Sequence, residues 1–173
     1  MEDKLDIIAK QLVEEKSEDV IKLYNSLTDI DKFYLNKFHN MNFKTFKTYS
    51  DEELWFESSR KGYIKTVQHF IDKGIDVNLQ SKYGSTALII ASFYGKNDVV
   101  KLLLQHPNID VNLQDSYRNS PLMYASFRGD VEIVKNLLQH KDIDISLKND
   151  KGETALNLAE TDEIKELIKN HGR

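Results

Sequence analysis

The sequence predicts an all-α fold: a solenoid of about four helix-turn-helix units stacked side by side, preceded by a helical extension. Three observations carry that expectation. Residues 81–114 align without a gap on residues 115–148, and fifteen of the 34 positions are identical, among them Tyr83/Tyr117, Leu88/Leu122, Ala91/Ala125, Phe93/Phe127, Gly95/Gly129 and Asp110/Asp144. Each copy holds an apolar set at helical spacing, Val99, Val100, Leu103 and Leu104 in one and Ile133, Val134, Leu137 and Leu138 in the other. Helix start and stop signals fall at the same places in both copies.

Taken in chain order, residues 1–50 show no copy of the repeat but read as helices. Leu5, Ile8, Leu12 and Val13 form one apolar stripe, and Val20, Ile21, Tyr24 and Leu27 follow Ser17 as a second. Thr28 with Asp31 resembles a variant capping box for a third helix carrying Ile30, Phe33, Tyr34 and Phe38. These stripes are expected to pack together and cap the first unit; the competing reading is a separate element that binds a partner or dimerises. Phe43 to Tyr49 interleaves aromatics with lysines, a pattern able to stack bases and hold phosphates, but also that of an extended connector burying alternate rings.

Residues 54–80 read as an entering unit, with Gly62, Val67, Phe70, Ile71, Val77 and Asn78 in register, although the threonine-proline start of its first helix is lost. In the central units Thr86 and Ser120 carry hydroxyls suited to capping a helix start, and Pro121 follows where its missing N–H costs nothing. The small residues Ala91 and Ser92 permit close approach of a neighbouring helix. Gly95 and Gly129 end the first helix and let the chain turn into the second. The four-residue stripe is expected to be the buried one, so that Leu104→Ala would remove ~2–5 kcal/mol of stability. After it come turn-rich stretches in which Asp110, Asp144, Asn78 and Asn112 are expected to bond backbone donors. Residues 149–173 open well with Gly152, Thr154, Ala155, Leu156 and Ala159, but alignment shortens the turn between the two helices by about four residues, as a terminal unit would allow. Ile164, Leu167 and Ile168 point inward there, and Lys165, Glu166, Lys169 and Asn170 supply the solvent face.

The pattern S/T-A/P-L-x-x-A-S-x-x-G, then V-V-K-x-L-L, then I-D-V-N resembles the ankyrin repeat. The resemblance covers roughly residues 51–173, with units near 51–80, 81–114, 115–148 and 149–173 after the 1–50 extension. Where that family often has histidine this chain has Ile89, Met123 and Asn157, so apolar contact is expected to carry more of the stacking.

Composition narrows the function. A chain of 173 residues that is 40% hydrophobic and 30% charged is ordinary for a globular protein. Its net charge of −4 offers no general attraction to nucleic acid or to anionic membranes, and the longest apolar run, Leu88 to Phe93, is far below the ~20 residues of a membrane span. Zero cysteines exclude disulfides and thiolate chemistry, and the opening MEDKLDII lacks the basic start of an export signal, so a cytosolic location is expected. His106 and His140 are repeat copies about one helix spacing of ~8–10 Å apart, too far to share a metal. Asp142 and Asp144 lack any accompanying nucleophile or phosphate loop. Neither a cofactor nor a metal is expected, and no enzymatic activity.

What the resemblance implies is a protein-binding scaffold whose targets meet the fingertip loops and the exposed side of the first helices. Carried over by position, these are Lys82, Tyr83, Ser85, Phe93 and Tyr94 in one central unit and Ser116, Tyr117, Asn119, Phe127 and Arg128 in the next. Tyrosine, phenylalanine and arginine suit binding hot spots. The competing explanation for Phe93/Phe127 and Tyr83/Tyr117 is that identical positions stack on one another between units. The partner is expected to be another protein, with the chain itself monomeric; the alternatives are self-association through the N-terminal helices, or a dedicated inhibitor or protective partner of one enzyme or toxin.

Overall fold

A computed structural model describes residues 50–171. Among them lie eight helices and no strand: α1 (Asp51–Lys61), α2 (Ile64–Asp72), α3 (Ala87–Phe93), α4 (Asn97–Leu104), α5 (Pro121–Arg128), α6 (Val131–Leu138), α7 (Ala155–Leu158) and α8 (Asp162–Asn170). They form four consecutive pairs. Each first helix packs on the first helix of the next pair (α1, α3, α5, α7) and each second helix on the next second helix (α2, α4, α6, α8), giving two layers. No helix among the described residues is long and apolar enough to cross a membrane. The helices and capping role expected for residues 1–49, and the aromatic-lysine stretch Phe43 to Tyr49, lie outside the described residues.

Side-chain caps place the first helices. Thr86 and Ser120 accept hydrogen bonds from the backbone N–H of Ile89 and Met123 at 3.2 and 3.3 Å. Thr154 does the same for Asn157 at 3.4 Å. In the first pair, Ser50 and Glu53 form a reciprocal capping box at 3.2 and 3.0 Å, so α1 starts two residues earlier in the 34-residue register. Gly95 and Gly129 adopt left-handed backbone with φ of 66° and 72°, where the chain turns into the second helix.

The core lies between the layers. Leu88, Ile89, Val99, Val100 and Leu103, with Leu122, Met123, Ile133, Val134 and Leu137, are at most 2% exposed. Ile89 and Met123, standing where histidine is common, thus join the apolar stack. Ala91, Ser92, Ala125 and Ser126 are fully buried, and their small size is what lets adjacent first helices approach. The expected stripe is one residue too wide. Leu104 and Leu138 are only half-buried, because the turn of about 100° per residue carries them past the sector that the first helices cover. The large loss expected for Leu104→Ala therefore belongs to Leu103.

A second correction concerns the last pair. Its deletion shortens the helix rather than the turn: α7 has four residues where α5 has eight, and Ala159 leaves it in extended conformation. The freed segment is tied back by Glu160 N–H donating to the Ser126 carbonyl at 3.1 Å, and Thr161 then caps α8 through Ile164 N–H at 3.2 Å.

The loops between pairs run as fingers, and side-chain amides lock each finger to the next. Asp110 and Asp144 accept from the backbone of Asn112 and Ser146 two residues on, at 2.9 and 2.8 Å, the turn bonds anticipated for them. Asn78 and Asn112 also bond backbone donors, but those donors belong to the following unit. Asn78 accepts from Asp110 N–H at 2.9 Å and donates to the Asn108 carbonyl at 2.7 Å; Asn112 accepts from Asp144 N–H at 2.9 Å and donates to the Asp142 carbonyl at 2.6 Å. Gln80 and Gln114 form a parallel row, donating to the carbonyls of Gln114 and Lys148 at 3.2 and 3.1 Å. Both rows end where Ser146 and Lys148 replace asparagine and glutamine.

Candidate partner-binding face

Each finger is shaped at its base by a short polar side chain that recurs every 34 residues: Ser81, Asp115 and Asn149. Ser81 Oγ accepts from Tyr83 and Ser85 N–H at 3.3 and 3.2 Å, Asp115 Oδ1 from Tyr117 and Asn119 at 2.9 and 3.0 Å, and Asn149 Oδ1 from Lys151 and Glu153 at 3.0 and 2.9 Å. This closes the backbone of the tip, so the residues between must point out. Neighbouring tips are then joined by Ser116 N–H to the Tyr83 carbonyl at 3.0 Å and Asp150 N–H to the Tyr117 carbonyl at 3.2 Å. The result is a row of tyrosines held one unit apart, Tyr83 63% and Tyr117 68% exposed.

The tip also needs left-handed backbone at its third residue. Gly84 (φ 74°) and Gly152 (φ 77°) supply it without strain, and at Gly84 an added Cβ would come within 2.9 Å of Ser116 N. In the middle finger the same position is Arg118, with φ 59° and its side chain exposed. Sequence reasoning passed over it, although the 34-residue register alone sets Gly84, Arg118 and Gly152 in one column.

Behind the fingers, the exposed side of the first helices carries a continuous run of cations and rings. Arg60 of α1 lies over the Tyr94 ring at 5.7 Å, Tyr94 meets Phe93 edge-on at 5.0 Å, and Arg128 of α5 lies over Phe93 at 5.6 Å. The Arg60 guanidinium is held by Glu57 at 2.6 and 2.7 Å, a bidentate pair that pushes its pKa further up. Tyr124, the ring that the next unit sets against Phe93 at 5.2 Å, donates its hydroxyl to Asp115 at 2.5 Å. Burial, then that hydrogen bond, raises the Tyr124 pKa to about 12.

Of the residues expected to meet a partner, Phe93, Tyr94 and Arg128 are brought into this run, while Lys82 and Tyr83 (4.9 Å apart), Ser116 and Tyr117 form the tips. Ser85 and Asn119 are half-buried at the finger stems, where the Ser85 carbonyl accepts from Ser81 N–H and Asn119 Oδ1 accepts from Asn149 Nδ2 at 3.1 Å. Phe127 stands apart, 54% exposed. Phe93 is covered by Tyr124 and Arg128 of the following first helix, but α7 stops at Leu158 and offers Phe127 no counterpart of Arg128. Arg60, Arg118 and Tyr124 are the members that sequence reasoning missed. His106 and His140 serve their own turns, each Nδ1 accepting a backbone N–H two residues on at 3.3 Å.

Residues 54–149 match the family model for ankyrin repeats, in three copies. The chain belongs to the ankyrin repeat family. The match stops where the fourth ankyrin pair begins, the pair whose first helix has lost a turn. No curated protein matches the chain. Ankyrin repeats generally mediate protein-protein interaction and are typically non-catalytic; in this ankyrin stack the fingers and first helices leave Tyr83, Tyr94, Tyr117 and Phe127 open to solvent, and the start of α2 leaves Tyr63 and Ile64 so.

Proposed function

We propose that this ankyrin protein is a non-catalytic cytosolic scaffold that holds one partner protein against its fingers and first helices. The run from Arg60 through Tyr94 and Phe93 to Arg128 carries the reading. It crosses three units with no break between neighbours, beneath a tyrosine row fixed by backbone bonds, and so presents preorganised aromatic area at little entropic expense. Lys82, Tyr83, Ser116, Tyr117 and Phe127 extend that surface.

The test is an affinity pull-down from native cell extract with the intact chain beside a Tyr94→Ala/Arg128→Ala variant, the retained proteins identified by mass spectrometry. A protein held by the first and weakened ~1–3 kcal/mol by the second, with little change in thermal stability, is the expected result. Equal retention by both would move the site off this face. Parallel loss of binding and of stability would show that the two residues hold the fold rather than the partner.

A further inference from the structure

We propose that the partner meets this face with an acidic segment, gripped by arginine; the inference rests on the protein-binding reading above and names the chemistry of the partner. The chain as a whole is acidic, with 28 Asp and Glu against 24 Lys and Arg. The two central finger-and-helix stretches, residues 81–95 and 115–129, reverse that balance. Their charged residues are Lys82, Arg118, Arg128 and Asp115, and the carboxylate of Asp115 is buried and taken up by Tyr117, Asn119 and Tyr124. Within these two stretches the charge left open is cationic, whereas Arg60 on α1 is already paired with Glu57. The same two stretches hold four of the eight tyrosines and two of the eight phenylalanines, a composition low in charge and rich in rings, as interface cores are.

The kind of cation matters. The chain has four arginines, and three of them, Arg60, Arg118 and Arg128, stand on this face, whereas lysine serves nearly everywhere else. Arginine offers a planar fork that pairs with a carboxylate through two hydrogen bonds and stacks on rings at the same time. Among the described residues Arg118 and Arg128 make no ion pair, so their forks are open.

Arg118 adds an independent observation. Among the described residues it is the one non-glycine with positive φ, in a column that is otherwise glycine. Left-handed backbone disfavours arginine relative to glycine, and residues held against such a preference gather at binding sites. A protein carboxylate fits better than a nucleic-acid phosphate here. The open cations are few, Lys82 in one unit and Arg118 and Arg128 in the next, whereas a phosphate backbone is held by a close succession of contacts.

The experiment pans the full chain against phage-displayed random peptides of about a dozen residues, long enough to run along a face of roughly 30 Å. Enrichment of peptides rich in Asp and Glu is expected, with affinity that falls as salt rises. Against the best such peptide, Arg118→Gly and Arg128→Ala should each weaken binding about tenfold. Arg118→Gly should also raise the melting temperature, an opposition of signs that a residue serving only the fold would not give. Enriched peptides that are neutral or basic, yet lose affinity in Tyr94→Ala, would overturn the acidic assignment and leave the binding face standing. Peptides bound equally by the intact chain and all three variants would overturn both. Displacement of the acidic peptide by an oligothymidine, with tighter binding of the latter, would overturn the assignment in favour of nucleic acid.

Discussion

Replacing Asn112 by alanine tests how the stack is held together. The side chain makes two bonds into the following unit, accepting from Asp144 N–H at 2.9 Å and donating to the Asp142 carbonyl at 2.6 Å. Each such bond contributes about 0.5–1.5 kcal/mol net, and because Asn112 is half-buried, water can reach the two groups left behind and limit the added penalty. The expected loss is therefore about 1–2 kcal/mol, or a fall in Tm of roughly 3–8 °C for a stack of this size. Ser146 occupies the same column but bonds only within its own finger, to Asp144, so Ser146→Ala should remain within ~0.5 kcal/mol of the parent. Urea denaturation followed by circular dichroism measures both, with an unchanged slope showing that the two transitions are comparable. Equal shifts for the two variants would mean that the amide row is ornament on an interface held by its apolar core.

Two further outcomes follow from burial. Leu103→Ala, at a fully buried position, should lower stability by ~3–5 kcal/mol, and Leu104→Ala, half-buried, by clearly less; a denaturation midpoint that moves equally in both would contradict the assignment of the inner stripe. Tyr124, with its pKa raised to about 12, has its neutral form favoured by the fold, so its contribution to stability is complete below the ordinary tyrosine range near ~10 and is lost as pH climbs through about 12. Tyrosinate absorbance should show a late-titrating ring that disappears in Tyr124→Phe, and a difference spectrum without that component would refute the burial of Tyr124 against Asp115.

Much of the fold was legible because the signals repeat. Thr86, Ser120, Pro121 and the glycines at 95 and 129 act through their immediate neighbours, and local chemistry of that kind can be read without knowing what packs where. The wrong readings have one origin. Leu104 and Leu103 are alike in a linear pattern, and which of them faces the first-helix layer depends on the angle between packed helices. A short deletion in the last unit aligns equally well as a lost turn or a lost half-helix, and the structure decides for the helix: the caps Thr154 and Thr161 stand 34 and 31 residues after Ser120 and Asp130, with Glu160 tied to Ser126 between them. The candidate face was legible by position, as one residue in each column, but not as a cluster: Arg60 and Arg128 are far apart in sequence and reach the two sides of the Phe93-Tyr94 pair only once α1, α3 and α5 lie side by side.

By itself the sequence determined the class of fold, the period, the starts of the central first helices and the family, because each depends on residues within one repeat and recurs from copy to copy. The tertiary structure alone decided which apolar residues are dry, which amides bridge units, and which rings and cations form one surface. Those properties belong to the spacing between repeats, where side chains a whole period apart become neighbours, and no local pattern encodes that distance.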